Sequence, residues 1–451
     1  MRTILHDIPA HLITLVEGLR ARLPDPAFLA RHRVRVQDFT RECQLTFPVI
    51  TLFIIQKTVR SLQRHLNDFL QHLAAGQLFE PLTNGAVTHA RAKLKHTAFI
   101  ELNRECLLPI VEQDKERIQR WRTHRLIGVD GALVRLPNSQ EIGEAFGWKK
   151  VSNQKGDTGT KYPEGRFLVL FDLLNHLGLD ARLEPSTVGE VTLALEQLAS
   201  LQPGDVQIND RGFTGYLYFA AVRQRGAHFI GRCSRGSFRA AQELFALNRA
   251  HRSQVVWLFA PPEQREECKR LGLPLKMPVR FVSLRLPTAE LEVLASSLLE
   301  EEAYPTQEFL AVYHWRWNHE TFHNVLKSRL DLENFTGLTA EAVRQDFYAA
   351  VFLCNLESVL TKPAQAALEP RRTADQQPQQ VNHADAFHSL KTRVLDLLYS
   401  AIPPERVIMT LLGLFQINTE TVRLGRKPPR RQRTSFNRSY HYQRRVKKIV
   451  C

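Results

Sequence analysis

Cysteine and methionine are scarce in this chain, at six and three of 451 residues. Cys43, Cys106, Cys233, Cys268, Cys354 and Cys451 stand singly, with no paired spacing. That excludes a disulfide scaffold and a zinc ribbon, and fits a reducing compartment. Long apolar runs are also missing. The most apolar stretch, Phe47 to Ile55, is far shorter than the roughly 20 residues a membrane helix needs. The start, MRTILHDIPAHLITLVEGL, carries acids and lacks a long apolar core, so no signal peptide is expected and the chain reads as cytoplasmic, with no membrane partner. Between Arg423 and Lys448 there is no acidic residue at all, against 11 basic ones.

Composition is otherwise that of a globular protein, 43% hydrophobic and 24% charged, enough for two or three domains. Sixty-one Lys and Arg against 46 Asp and Glu give a net charge of +15. Such a surplus points to a polyanionic partner, nucleic acid before a membrane surface. Removing the 11 charges of the 423–448 stretch leaves +4 for everything else. This tail is either a solvated segment or one that neutralises phosphates, with Tyr440 and Tyr442 available for stacking.

Residues 1–120 read as helical. Ile54, Val59, Leu62, Leu66, Phe69 and Leu70 recur at helical spacing, and Val87 to Leu108 form a second such stretch. Arg91, Lys93 and Lys95 give that stretch a basic face, which is either solvated or a surface for DNA.

The pattern changes near residue 125. RLIGVDG predicts a short strand closed by Asp130. RFLVLFDLLNHLGLDARLEP predicts two strands joined near Asn175 to Gly178. Thr187 and Glu190 have capping-box spacing and open a helix that PGD at 203–205 ends. DVQIND is a strand closed by Asp210, and RGFTGYLYFAAVRQRGA a helix closed by Gly226. Together they make an α/β core. HFIGR, VVWLF and VRFVSLRL read as further strands, and Thr306 to Leu330 as one long helix. The Pro- and Gln-rich segment 361–383 reads as a linker, 384–422 as helical and 423–451 as a basic tail.

Three acids stand out. Asp130 and Asp210 close strands, where side chains reach the rim of a sheet, although an Asp-Gly pair taken alone is a turn signal. Glu320 lies in YHWRWNHETFHNVLK. On a helical wheel Tyr313, Arg316, Glu320 and Lys327 project within an arc of roughly 60°. Trp315, Phe322, Val325, Leu326 and Leu332 fall on the other side, so one face packs and the other presents polar groups. The same helix holds HETFH, which fits the zinc-protease pattern with ligands His319 and His323, and Glu341 as the nearest third ligand by spacing.

The chain resembles DDE transposases of the insertion-sequence-4 family from about residue 20 to 360. IGVDGALVRLP carries the first acid, Asp130, and PGDVQINDRGF the second, Asp210. The third motif is Tyr313, Arg316, Glu320 and Lys327 at the family's spacing. YPEGRFLVLFDLLNHLGLDARL, RGAHFIGRC and YPTQEFLAVYHWRW add similarity. Asn318 and His319 stand where the family usually has an aliphatic residue before the Glu.

The resemblance implies an α/β ribonuclease-H-like catalytic core over 121–360, with a strand-rich insertion at about 228–305, flanked by helical N- and C-terminal regions. It implies a DNA transposase that cuts and rejoins phosphodiesters at transposon ends. Asp130, Asp210 and Glu320 would hold two Mg²⁺ ions, with Mn²⁺ able to substitute, and the ions would sit about 3.5–4 Å apart. Tyr313, Arg316 and Lys327 would contact DNA, Lys327 gripping a phosphate other than the scissile one. Double-stranded DNA and a homodimer formed on it are the implied partners, in a bacterial, nucleoid-associated setting. Trp257, in the insertion, reads as a core residue or as one that stacks on a flipped base. The competing functions are a transposase-derived DNA-binding protein that no longer cuts, and the zinc protease.

Overall fold

The computed structural model describes residues 8–422 except 59–60, 76, 115–117, 154–155 and 369–376, and leaves out the side chains of 152–158 and 328. The basic tail with Tyr440 and Tyr442 lies outside the described residues, as does Cys451.

Nine strands build one sheet: β1 Leu126–Arg135, β2 Trp148–Asn153, β3 Gly156–Asp172, β4 Leu177–Pro185, β5 Val206–Asn209, β6 His228–Arg232, β7 Arg252–Phe259, β8 Lys276–Arg285 and β9 Leu291–Ser296. The second half of β3 lies between β4 and β1, and its first half pairs with β2. From β1 the order continues β5, β6, β9, β8, β7. β1, β5 and β6 run parallel, and the other pairings are antiparallel. The inner order β4-β3-β1-β5-β6, with three antiparallel strands followed by two parallel ones, is consistent with a ribonuclease-H-like core. Helices Glu190–Gln197 and Tyr216–Gln224 supply the crossovers that parallel strands need. The insertion does not form a sheet of its own. β9 pairs with β6 through Ile230 and Ser296, so β7–β9 prolong the central sheet.

Several local expectations change in this context. β1 does not stop at Asp130; β3 keeps it paired from Ile127↔Asp172 to Arg135↔Glu164, so Asp130-Gly131 is strand and not a turn. Trp257 is not core. It is 58% exposed on β7, the terminal strand, whose Val255, Trp257 and Phe259 alternate to a face left uncovered among the described residues. Lys276 lies over its ring at 5.5 Å. The linker segment is partly helix: Ala340–Ala366 passes through Pro363. Proline there removes a bond to the Val359 carbonyl only one turn from the end, and buried Leu360 and Ala364 anchor that turn. Beyond it, Gln379–Val381 pairs with Thr419–Thr421.

The terminal helices share one core with the sheet. A connected set of buried apolar side chains runs from Leu12 to Phe415. Phe47–Gln56 buries nine of its ten residues, as a helix that is apolar all round must. Arg20 in helix Ala10–Arg22 donates to the carbonyls of Asp396 and Leu397 at 2.8 Å, tying it to helix His383–Leu398. Arg91 does not belong to a basic surface. It is buried and binds Asp346 of helix Ala340–Ala366. Asn355 of the same helix accepts from Gly178 N–H at 2.7 Å and donates to its carbonyl at 2.8 Å, which fixes the helix on β4. Among the described residues no helix is long and apolar enough to cross a membrane.

Candidate active site

The parallel register of β1 and β5 places two acids side by side. Val129 pairs with Asn209, so the next residues, Asp130 and Asp210, stand level where the two strands part. Asp210 N-caps a short 3-10 turn, accepting Arg211 N–H at 2.8 Å. Asp130 accepts Gly131 N–H at 3.0 Å. Burial pushes the Asp130 pKa up to about 6; Gly131 N–H and the Arg316 guanidinium work against this, and the charges of Glu190 and Asp210 add to it. A carboxylate made reluctant to ionise by burial and by other acids is one that a bound cation would relieve.

The expected long helix is three consecutive pieces: Glu308–His314, Trp317–Asn324 after a break at 315–316, and a π-helical turn at Val325–Arg329. The breaks alter the wheel. Tyr313 and Arg316 are buried rather than solvent-facing, because both lean over the rim toward the acids. Tyr313 O–H donates to Asp210 Oδ1 at 3.5 Å, and burial holds the phenol protonated. Arg316 donates to Glu320 Oε1 at 2.9 Å, and its guanidinium lies 5.7 Å from the Tyr313 ring. The Arg316 charge is felt by both aspartates, while Glu320 is held by Arg316 itself. Lys327 stands apart, donating to the Leu133 carbonyl at 2.9 Å and lying 5.4 Å from the Phe167 ring centre. On the packing side Phe322, Leu326 and Leu332 are buried, while Trp315 and Val325 are half-buried.

Three charged neighbours were not singled out by sequence reasoning as site residues. Arg232, at the end of β6, lies 3.8 Å from Asp210 Oδ1 and pairs with Glu292 of β9. The rule that strand ends reach the rim would have found it in HFIGR. Glu292 was hidden because LEVLAS was not read as a strand. Glu190 was read as half of a capping box with Thr187. Instead Gly189 is the N-cap, with no side-chain cap bond, and Glu190 begins the helix. Its carboxylate is 3.6 Å from Arg166 Nε and lies against Gly131.

The HETFH pattern dissolves in three dimensions. His319 and His323 are buried toward the sheet, and burial lowers both pKa values, that of His323 to about 3. Glu341 accepts from His96 N–H and its ring instead of joining them. Gly128 makes this packing possible: a Cβ there would come within 2.9 Å of His319 Nδ1 and 2.8 Å of Leu173 Cδ2.

Among the described residues no three His, Cys, Asp or Glu side chains stand close enough to hold a metal. Asp130 and Asp210 still fit a hard divalent cation, which takes one or two carboxylates and keeps its waters. Glu320 is turned onto Arg316 and would have to leave it to become a ligand.

The sequence model described as "Transposase DDE domain" matches residues 121–356. Over 184 residues the chain is 26% identical to an Escherichia coli (strain K12) protein named "Putative transposase InsZ", a stretch that is 40% of this chain and 58% of the relative, so the chain spans less than two thirds of that relative's length. A solved structure of similar path is that of piggyBac transposase in a synaptic complex with hairpin DNA, at 10% identity and a TM-score of 0.43, with 93% of this chain and 88% of that one covered. The match over 121–356 takes in more than half of the 451 residues, and the chain belongs to the transposase DDE domain family.

Proposed function

We propose that this protein is a DNA transposase of the insertion-sequence-4 group that cuts and rejoins phosphodiesters at transposon ends. The observation that carries the reading is that Asp130 and Asp210 directly follow the paired Val129 and Asn209, with Tyr313 donating to Asp210 and Arg316 holding Glu320. Asp130 and Asp210 would be the core ligands of two Mg²⁺ or Mn²⁺ ions, and Glu320 the third once it leaves Arg316. Such ions, when bound, activate the attacking oxygen and stabilise the leaving one. The chain's own groups do the rest. Arg316 exchanges Glu320 for a phosphate and can fork onto two of its oxygens. Tyr313 keeps its proton and donates it as a hydrogen bond. Lys327 exchanges the Leu133 carbonyl for a second phosphate, as a point charge. The helical region 1–120 and the 423–451 tail supply contacts away from the site, and the active unit is a homodimer on double-stranded DNA.

The test is a cleavage assay with Mg²⁺ or Mn²⁺ on DNA carrying the sequences that flank the gene. Wild type is expected to cut at the ends, while Asp130→Ala, Asp210→Ala and Glu320→Ala bind and do not cut. The hold of Arg316 on Glu320 favours one other reading, a DNA-binding descendant without activity. Wild type that binds salt-dependently and never cuts would establish that alternative. Cutting that survives Glu320→Ala would move the third ligand elsewhere, with Glu190 the next candidate by position.

A further inference from the structure

His323 is a polar ring in an apolar slot. It lies against Phe167 at 5.1 Å and His319 at 4.7 Å between ring centres, and its Nε2 is buried without a hydrogen-bond partner. An imidazole placed there for packing alone carries a desolvation cost that leucine or phenylalanine would not. Its other nitrogen supplies a reason. Nδ1 lies 3.7 Å from Asp130 Oδ2, the oxygen that Gly131 N–H does not take. Nε2 meets no acceptor, whereas Nδ1 faces a carboxylate oxygen, so the tautomer with its proton on Nδ1 is the one that gains a partner. At 3.7 Å the contact is longer than a hydrogen bond, and active-site contacts of this kind often tighten only once substrate binds.

We propose that His323 is a positioning residue, whose Nδ1–H fixes Oδ2 of Asp130 while Gly131 N–H fixes Oδ1, so that the carboxylate presents its outer lone pairs to a divalent ion. This rests on the function proposed above. It also gives HETFH a meaning other than zinc binding: Glu320 faces outward, and His323 supports the first acid from behind. In metal sites generally, such supporting hydrogen bonds are worth about 10–100-fold in affinity.

The experiment is titration of the full chain with Mn²⁺ alone, followed by electron paramagnetic resonance, alongside thermal melting and binding to end-sequence DNA. In His323→Leu, which fills the slot without a donor, Mn²⁺ affinity should fall about tenfold or more. In His323→Asn, whose amide N–H reproduces the Nδ1 position, it should stay within about threefold of wild type. DNA binding should be unchanged in both. Should the leucine variant not fold, His323→Gln replaces it, since its amide falls at the Nε2 position and should weaken Mn²⁺ as leucine does. Equal affinity in wild type and the donor-free variant overturns the proposal, as does an asparagine variant as weak as leucine. Mn²⁺ binding indifferent to Asp130→Asn fails at the earlier step, overturning the metal-site reading and the role of His323 with it.

Discussion

Arg91 and Arg316 are two of the four described arginines buried against carboxylates, beside Arg125 and Arg280, and the two differ in how completely they are used. Arg91 donates Nε–H to Gln345 and Nη1–H to Thr336, both at 2.6 Å, and Nη2–H to the Ala342 carbonyl at 2.7 Å and Asp346 at 2.5 Å. Asp346 in turn accepts from Thr336 N–H at 2.6 Å. Arg316 donates to Glu320 alone, lies 5.5 Å from the Trp317 ring centre, and keeps Nε buried without a partner. The first pair is a closed network that holds helix Asn84–Arg91 to helix Ala340–Ala366. The second leaves one guanidinium donor without a protein partner among the described residues. A satisfied network specifies a structure, whereas a buried donor without a protein partner is left able to take another one.

The comparison is sharpest if the two regions fail in different assays. Removing a core acid should be the largest effect: Asp130→Ala should lower strand cleavage by on the order of 10³-fold, the several kcal/mol that metal stabilisation is worth, without loss of the fold. Arg91→Ala should act on the fold instead, costing about 3–5 kcal/mol in urea denaturation, because Asp346 would be left charged and unpaired. Arg316→Lys should keep the charge and lose the fork, lowering cleavage by roughly 10–100-fold with little change in the denaturation midpoint. A large drop in midpoint for Arg316→Lys would erase the distinction.

Acid separates the regions more gently. Burial alone would raise Asp346, but Arg91, Lys57 and Thr336 N–H outweigh it and hold its pKa below the usual value. Its contribution to stability is therefore present at neutral pH and lost only as pH falls through that lowered range. Asp130 has the opposite sign, with a pKa raised to about 6. Without metal, its protonated form favours the fold at low pH, and that contribution fades as pH rises through 6. Mn²⁺ needs the ionised form, so its affinity should fall by about tenfold per pH unit below 6, which a titration at pH 7 and pH 5 would measure. Smallest of all, Trp257→Ala should change stability by less than about 0.5 kcal/mol, since the ring is exposed.

Much of the core was legible. Short apolar runs bounded by turn residues marked β1, β4, β5 and β6, and the end of β3, because each needs only local alternation and a stop signal. β2, β9 and the long first half of β3 were not marked, since their pairing depends on partners far away in the chain. The candidate site divides in the same manner. Asp130, Asp210, Tyr313, Arg316, Glu320 and Lys327 were named from position and spacing. Arg232 closes a strand that was marked and was within reach of the same rule, whereas the places of Glu190 and His323 beside Asp130, on a crossover helix and on the underside of the site helix, are revealed only by packing.

The sequence by itself determined the alternation of helix and strand, the basic surplus and the order of the three acids, because those follow from side-chain chemistry and short-range periodicity. Tertiary structure decided which charges are buried. Arg91 was a surface cation by its helix face, and became a structural one when the Ala340–Ala366 helix brought Asp346 to it. Trp257 read as a core ring or a base-stacking one, and it is exposed because β7 ends the sheet and no described layer lies over its outer face. Burial is a property of neighbours, and neighbours 255 residues apart are chosen only when the chain is folded.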